Sequence, residues 1–422
     1  MAFAAVHVFV AAMGFLLGNN PMGDLNNVYD PWSREVLDGR WIDGRLVTPW
    51  IVGIDETWVY PQLALVPMVL AQLISWVVDY NVAWAIIITA VDAVGFALLI
   101  GRATSRGRTT AAWFWLAYVA LLGPIALYRV DAVTVPLAIV GSLWLVGRPW
   151  LGSALLAVGA WIKVWPAALL VAAFLAVRRR SAVMGGAVAV SAVVAIAVLT
   201  AGGGAHLLGF IGDQAGRGLQ IEAPVSAFYL WRAALGLEGS FVFYDPEMLT
   251  FQVTGPNVDP LIALMTPLLL AAVLAVAAYG AWKARRGASF VSLFPALSLA
   301  LVLAFIVFNK VGSPQYYAWI VVPFVVGLVL DRRRWWRIAT LGLAVAALTQ
   351  VVYPIMYGGL MIVPQPAVDA VLVLTIRNVG VAVLMVWSLV MLARVRVGAR
   401  GPGAARRAPD QPASAPLTAP AD

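Results

Sequence analysis

Asp24, in Gly23-Asp24-Leu25-Asn26-Asn27-Val28-Tyr29, stands a few residues beyond the first apolar run, so its carboxylate is held close to a membrane surface. A carboxylate there is placed to take the proton of a hydroxyl as that hydroxyl attacks a lipid-bound donor, which is general-base chemistry. Position alone does not single it out. Asp30, Asp38 and Asp43 share the same hydrophilic stretch, and a solvated loop carboxylate is the ordinary case. Lys163, in Trp161-Ile162-Lys163-Val164-Trp165-Pro166, and Lys310, two residues before Gly312-Ser313-Pro314-Gln315-Tyr316, are cations at the edges of apolar runs. Membrane-edge charges are costly and are functional candidates by default, although a lysine also snorkels to the headgroups. Two such ammonium groups suit a phosphate.

Other charges admit more than one reading. In Arg129-Val130-Asp131, at the end of an apolar run, the two charges neutralise each other or serve a ligand. Arg217 and Glu222, in Arg217-Gly218-Leu219-Gln220-Ile221-Glu222, pair with each other, with lipid phosphate or with sugar hydroxyls, and spacing does not choose. Asp92 and Arg377 fall inside apolar runs and are expected to face the protein interior as structural groups, against each other or another polar partner. Tyr60, in Trp58-Val59-Tyr60-Pro61-Gln62, fits an aromatic belt at the headgroup level first, and a sugar-stacking surface second.

These residues must be carried by membrane-spanning helices. Of 422 residues, 62% are hydrophobic and 11% charged, against roughly a quarter charged in a soluble domain. Apolar stretches long enough to cross a bilayer recur from Phe3–Leu17 to Val371–Leu392, which excludes a single signal peptide. With no cysteine and two histidines, His7 and His206, thiolate chemistry is absent and no metal centre is expected. The net charge of +8 sits in short clusters between apolar runs, at Arg102, Arg106 and Arg108, at Arg178 to Arg180, at Lys283, Arg285 and Arg286, at Arg332 to Arg334 with Arg337, and from Arg394 on. Such clusters mark cytoplasmic loops, whose neighbours are anionic lipid headgroups and not nucleic acid.

The chain therefore reads as an all-α polytopic membrane protein of about twelve helices. They lie near residues 3–18, 82–101, 111–127, 132–147, 151–162, 164–177, 182–200, 260–281, 290–308, 316–330, 337–353 and 368–392. The pair at 151–177 is split around Lys163 and Pro166, as broken or tilted helices would be. Residues 61–78 are expected to form an interfacial helix on the outer face. Residues 19–60 and 201–259 are the long outer loops of one transmembrane domain spanning 1–397. Residues 398–422, rich in Pro and Ala, are expected to be a disordered cytoplasmic tail.

In this order, the segments resemble glycosyltransferase family 87, polytopic mannosyltransferases with the C-type membrane glycosyltransferase fold. The matching elements are Asp24 to Tyr29, the turn at Tyr60 to Gln62, Ile162 to Pro166, Arg217 to Glu222 and Lys310 to Tyr316. The last two are the most specific. Gln62 stands where the family often has a second proline, and Ala223 follows Glu222 where a serine is usual. The resemblance implies transfer of mannose from a polyprenyl-phosphate donor to a glycolipid or lipoglycan on the outer face of the plasma membrane, with no nucleotide sugar and no cofactor. It implies that Asp24 is the general base and that inversion turns a β-linked donor into an α-mannoside. Lys163, Lys310 and Arg217 are then the candidates to meet the departing phosphate. Glu222, Gln315, Tyr316, Tyr60, Arg129 and Asp131 are further substrate-binding candidates. A flippase for lipid-linked saccharide and an oligosaccharide ligase or polymerase are the alternatives. A flippase should carry polar groups through the midplane of several helices, whereas here the charges gather at the outer edge.

Overall fold

A computed structural model describes residues 1–215, 217–246, 248 and 250–398, so the expected tail lies almost wholly outside the described residues. The chain opens with α1 (Ala2–Leu16) and a turn in which Asn19 and Asn20 are left-handed, followed by a π-helical turn at Leu25–Tyr29. Then come α2 (Asp30–Asp38), a hairpin of β1 (Arg40–Ile42) and β2 (Arg45–Val47), and α3 (Leu65–Ile74). The 10 residues of α3 rise only about 15 Å, half of the roughly 30 Å hydrocarbon core, so length alone does not make α3 a span.

Polar caps set the ends of the next two helices. α4 (Tyr80–Ile100) starts where the Asp79 carboxylate accepts the Asn81 N–H, and α5 (Arg106–Leu122) where the Ser105 hydroxyl accepts the Arg108 N–H. Each cap satisfies a donor that the first helical turn leaves without a partner. Three shorter helices follow: α6 (Asp131–Trp144), α7 (Pro149–Ile162) and α8 (Pro166–Ala176). The expected break is present. Lys163 turns extended (φ −150°, ψ 132°) and ends α7, and Pro166 opens α8 at a position that needs no N–H.

After α9 (Arg180–Thr200) the second hydrophilic region carries α10 (Gly209–Ala215), α11 (Ala227–Ala234) and a hairpin of β3 (Phe241–Asp245) and β4 (Thr250–Thr254). The hairpin is antiparallel, with Val242 opposite Val253, and both point into a small core with Leu219, Ile221 and Leu230. The last helices are α12 (Val258–Arg285), α13 (Phe290–Val307), α14 (Val321–Gln350), the short α15 (Tyr357–Leu360) and α16 (Val368–Ala393). The expected segments 316–330 and 337–353 meet in α14, which is broken at Asp331 (φ −150°, ψ 77°).

Among the described residues, 7 helices are long and apolar enough to cross a membrane, and the chain is a helical membrane protein. α1, α6, α7 and α8 are apolar but shorter, so length alone does not make them spans. α13 is the central helix, buried from Leu293 to Ala304. The small core of the second hydrophilic region rests on Val371 and Leu374 of α16. The two hydrophilic regions meet at one end of the bundle. Gln62 donates to the carbonyls of His206 (3.1 Å) and Leu207 (3.3 Å), and Thr57 and His206 lie 3.1 Å apart. Gln62 is thus a clamp between the loops.

Candidate active site

Asp24 precedes the π-helical turn, whose Leu25 and Tyr29 are fully buried and anchor it. The Tyr29 hydroxyl accepts the Val130 N–H at 3.3 Å, tying the turn to the start of α6. Beside it, Asp24 Oδ2 lies 3.0 Å from Arg129 Nε, yet the two are not aligned as a hydrogen bond. The Asp24 side chain is 35% exposed, so its carboxylate has both a counter-charge and an open side.

Lys163 reaches the same place from the break between α7 and α8. Its ammonium sits 4.0 Å from the centre of the Tyr60 ring, within electrostatic range of Asp131, Tyr316 and Asp24. A cation over an aromatic face is attracted by the ring quadrupole while keeping its charge available to an anion. Arg217 lies within electrostatic range of Tyr316, and its buried Nε has no hydrogen-bond partner among the described residues. Asp24, Tyr60, Arg129, Asp131, Lys163, Arg217 and Tyr316, drawn from six stretches of sequence, thus converge on one locus.

A stack of rings underlies it. Pro314–Ala318 is a 3₁₀ turn, in which side chains three apart eclipse. Tyr316 and Trp319 accordingly stack at 4.2 Å, and Trp319 stacks on Trp165 at 5.8 Å. The Trp319 indole donates to Asp131 Oδ1 at 2.6 Å. The Trp165 indole donates to the Thr134 hydroxyl, and that hydroxyl to the Asp131 carbonyl. Asp131 Oδ2 stays buried without a hydrogen bond. Arg129 and Asp131 do not pair with each other: one turns to Asp24, the other to Trp319.

The remaining candidates sit behind this locus. Lys310 and Gln315 are buried, and the Lys310 carbonyl accepts the Gln220 N–H at 3.1 Å, joining the two most specific motifs. Gly312 makes that junction possible, since a Cβ there would come within 2.1 Å of the Ala223 nitrogen. Glu222 does not pair with Arg217. It lies buried 3.3 Å from Arg377, which also donates to the Glu222 carbonyl at 3.1 Å. Burial pushes the Glu222 carboxyl up to about 7 despite Arg377. Asp92 is met by His7 at 3.1 Å, not by Arg377.

Tyr353, Trp319 and Arg377 are contributors that sequence reasoning did not assign to the site. The spacing of Tyr316 and Trp319 carried a signal for the stack. Tyr353, 224 residues from the arginine it meets, carried none.

The helices and this charged, aromatic-lined locus at their loop-bearing end define a helical membrane protein whose candidate site gathers charged and aromatic side chains. The sequence model of glycosyltransferase family 87 matches residues 58–288, more than half of the chain, and the chain belongs to that family. The match takes in Tyr60, Arg129, Asp131, Lys163, Arg217 and Glu222, and stops short of Asp24 and Lys310. No curated protein matches the chain. Family membership makes the protein a glycosyltransferase, and favours group transfer over transport.

Proposed function

We propose that the protein transfers mannose from a polyprenyl-phosphate donor to a glycolipid or lipoglycan acceptor at the outer face of the plasma membrane, through a C-type fold of about twelve crossings. The observation that carries this reading is the convergence of Asp24, with an open carboxylate, and Lys163, whose ammonium has no carboxylate at contact distance among the described residues, on one locus. Asp24 takes the proton of the acceptor hydroxyl as the oxygen attacks the anomeric carbon. The bond from that carbon to the phosphate oxygen breaks in the same displacement, so configuration inverts and polyprenyl phosphate leaves with the electron pair. Lys163 and Arg217 meet the charge that develops on the departing phosphate, and Lys310 supports them from behind. Tyr60 and Tyr316 offer ring faces to the sugar, and Gln315 backs Tyr316. Asp131 holds the Trp319 indole, and Glu222 holds the loop that presents Arg217. No cofactor enters this scheme.

The test is incubation of purified protein in liposomes with radiolabelled polyprenyl-phosphate-mannose and a mixture of phosphatidylinositol mannosides. The expected product is a labelled glycolipid that α-mannosidase digests. Labelled donor that crosses the bilayer without any transfer would contradict the reading in favour of transport, and transfer of a preassembled chain would favour a ligase.

A further inference from the structure

Arg129 is 3% exposed, and protein oxygens take most of its hydrogens. Nη1 donates to the carbonyls of Pro21 (3.1 Å) and Tyr128 (2.9 Å), and Nη2 donates to the Tyr353 hydroxyl at 3.1 Å. The guanidinium also lies 5.6 Å from the centre of the Tyr353 ring. The Tyr353 hydroxyl donates onward to the Asn20 carbonyl at 3.1 Å, an oxygen that also accepts the Gly23 N–H at 2.9 Å. Asn19 Nδ2 donates to the Pro354 carbonyl at 2.6 Å and to that of Ile355 at 3.3 Å. The left-handed turn at Asn19 and Asn20 is therefore fastened to residues 353–355, and Pro21 to Arg129, immediately before Asp24.

This arrangement leaves the Nε edge of a largely anchored guanidinium facing Asp24. With three of its N–H groups given to neutral oxygens and its remaining edge turned to the Asp24 carboxylate, the guanidinium faces the base and not an open phosphate site. We propose that Arg129 and Tyr353 are positioning residues for Asp24, Arg129 by holding the carboxylate itself and Tyr353 by holding both Arg129 and the turn that leads to Asp24. The proposal rests on the reading of Asp24 as the general base, and it moves Arg129 from the substrate-binding set to the support of the base. Besides Arg129, Lys163, Tyr29 and Tyr353 lie within electrostatic range of Asp24.

The test is the pH dependence of kcat, with the donor KM, for wild type, Arg129→Gln, Arg129→Lys and Tyr353→Phe in detergent. Removing a cation beside a carboxylate favours its protonated form, so Arg129→Gln should move the acid limb of kcat to higher pH. The donor KM should change less than about threefold, a small free-energy difference. Arg129→Lys should restore the position of the acid limb. Tyr353→Phe, which keeps the ring and should fold, should lower kcat about tenfold with the donor KM unchanged. A raised donor KM with an unmoved acid limb in Arg129→Gln would overturn the proposal in favour of a phosphate ligand. Equal losses in all three variants with no shift of the limb would overturn it in favour of a purely structural role. Asp24→Asn, measured alongside, separates the two levels: if it stays active, the reading of Asp24 as base fails, whereas an inactive Asp24→Asn with an unmoved limb in Arg129→Gln rejects only the positioning role.

Discussion

Arg377, fully buried in α16, holds Glu222 of the second hydrophilic region at 3.3 Å and caps that residue's own carbonyl at 3.1 Å. Its guanidinium also lies 4.4 Å from the centre of the Tyr317 ring, next to Tyr316 of the candidate site. One side chain thus fastens the loop that carries Arg217 to the helix bundle. Removing it strands a buried carboxylate, a change that costs about 3–5 kcal/mol. Arg377→Met is expected to lower the thermal midpoint sharply, and Arg377→Met with Glu222→Gln to regain part of the loss. Thermal unfolding of the three variants in detergent checks this.

Glu222 also gives a pH dependence. Its folded-state carboxyl is raised to about 7 by burial, from an ordinary 4.5. The folded protein therefore binds the proton more tightly than the unfolded chain. The resulting stability is fully present below about pH 4.5 and is lost as pH rises through about 7. The thermal midpoint of wild type should fall between pH 5 and pH 8 by an amount corresponding to a few kcal/mol. Glu222→Gln should flatten that part of the curve, and an unchanged slope would count against it.

Gly312 lies against the peptide between Glu222 and Ala223, where an added Cβ would meet backbone at 2.1 to 2.6 Å. Backbone cannot move aside as a flexible side chain does. Gly312→Ala should cost about 1–3 kcal/mol, as overpacking does, and should weaken activity by parting the two motif segments. A variant with wild-type midpoint and turnover would contradict this.

Much of the architecture was legible because it follows from hydropathy and from residues that cannot do otherwise. The extended Lys163 before Pro166 breaks α7 from α8 as the sequence implied, and every expected helical segment falls on a helix. Lys163 stood out because it is a charge at the edge of an apolar run, whereas position did not single out Asp24 and the family resemblance did. What escaped was pairing at long range. Arg129 and Asp131, two apart, were expected to neutralise each other or serve a ligand, but side chains two apart at a helix start do not face each other. Arg129 instead meets Asp24, and Asp131 meets Trp319. Arg377 and Asp92, the two charges inside apolar runs, found Glu222 and His7 as partners. No local pattern encodes such choices, because packing of distant helices makes them.

Lys163 is expected to act on the leaving phosphate and not on folding, since among the described residues no carboxylate lies at contact distance from it and its ammonium rests on the Tyr60 ring. Lys163→Gln should reduce kcat about 10²–10³-fold, the loss usual when a preorganised charge is removed from a transition state. Steady-state rates at saturating donor, with circular dichroism to verify folding, decide this. A change confined to stability would contradict it.

The role of Asp24 is tested most directly by comparing wild type with Asp24→Asn for transfer of label from polyprenyl-phosphate-mannose to the acceptor mixture, with donor binding measured on the same samples. The expected result is labelled glycolipid from wild type and none from Asp24→Asn, with donor binding retained. Transfer by Asp24→Asn at a rate near that of wild type would contradict the assignment of the base and with it the proposed mechanism.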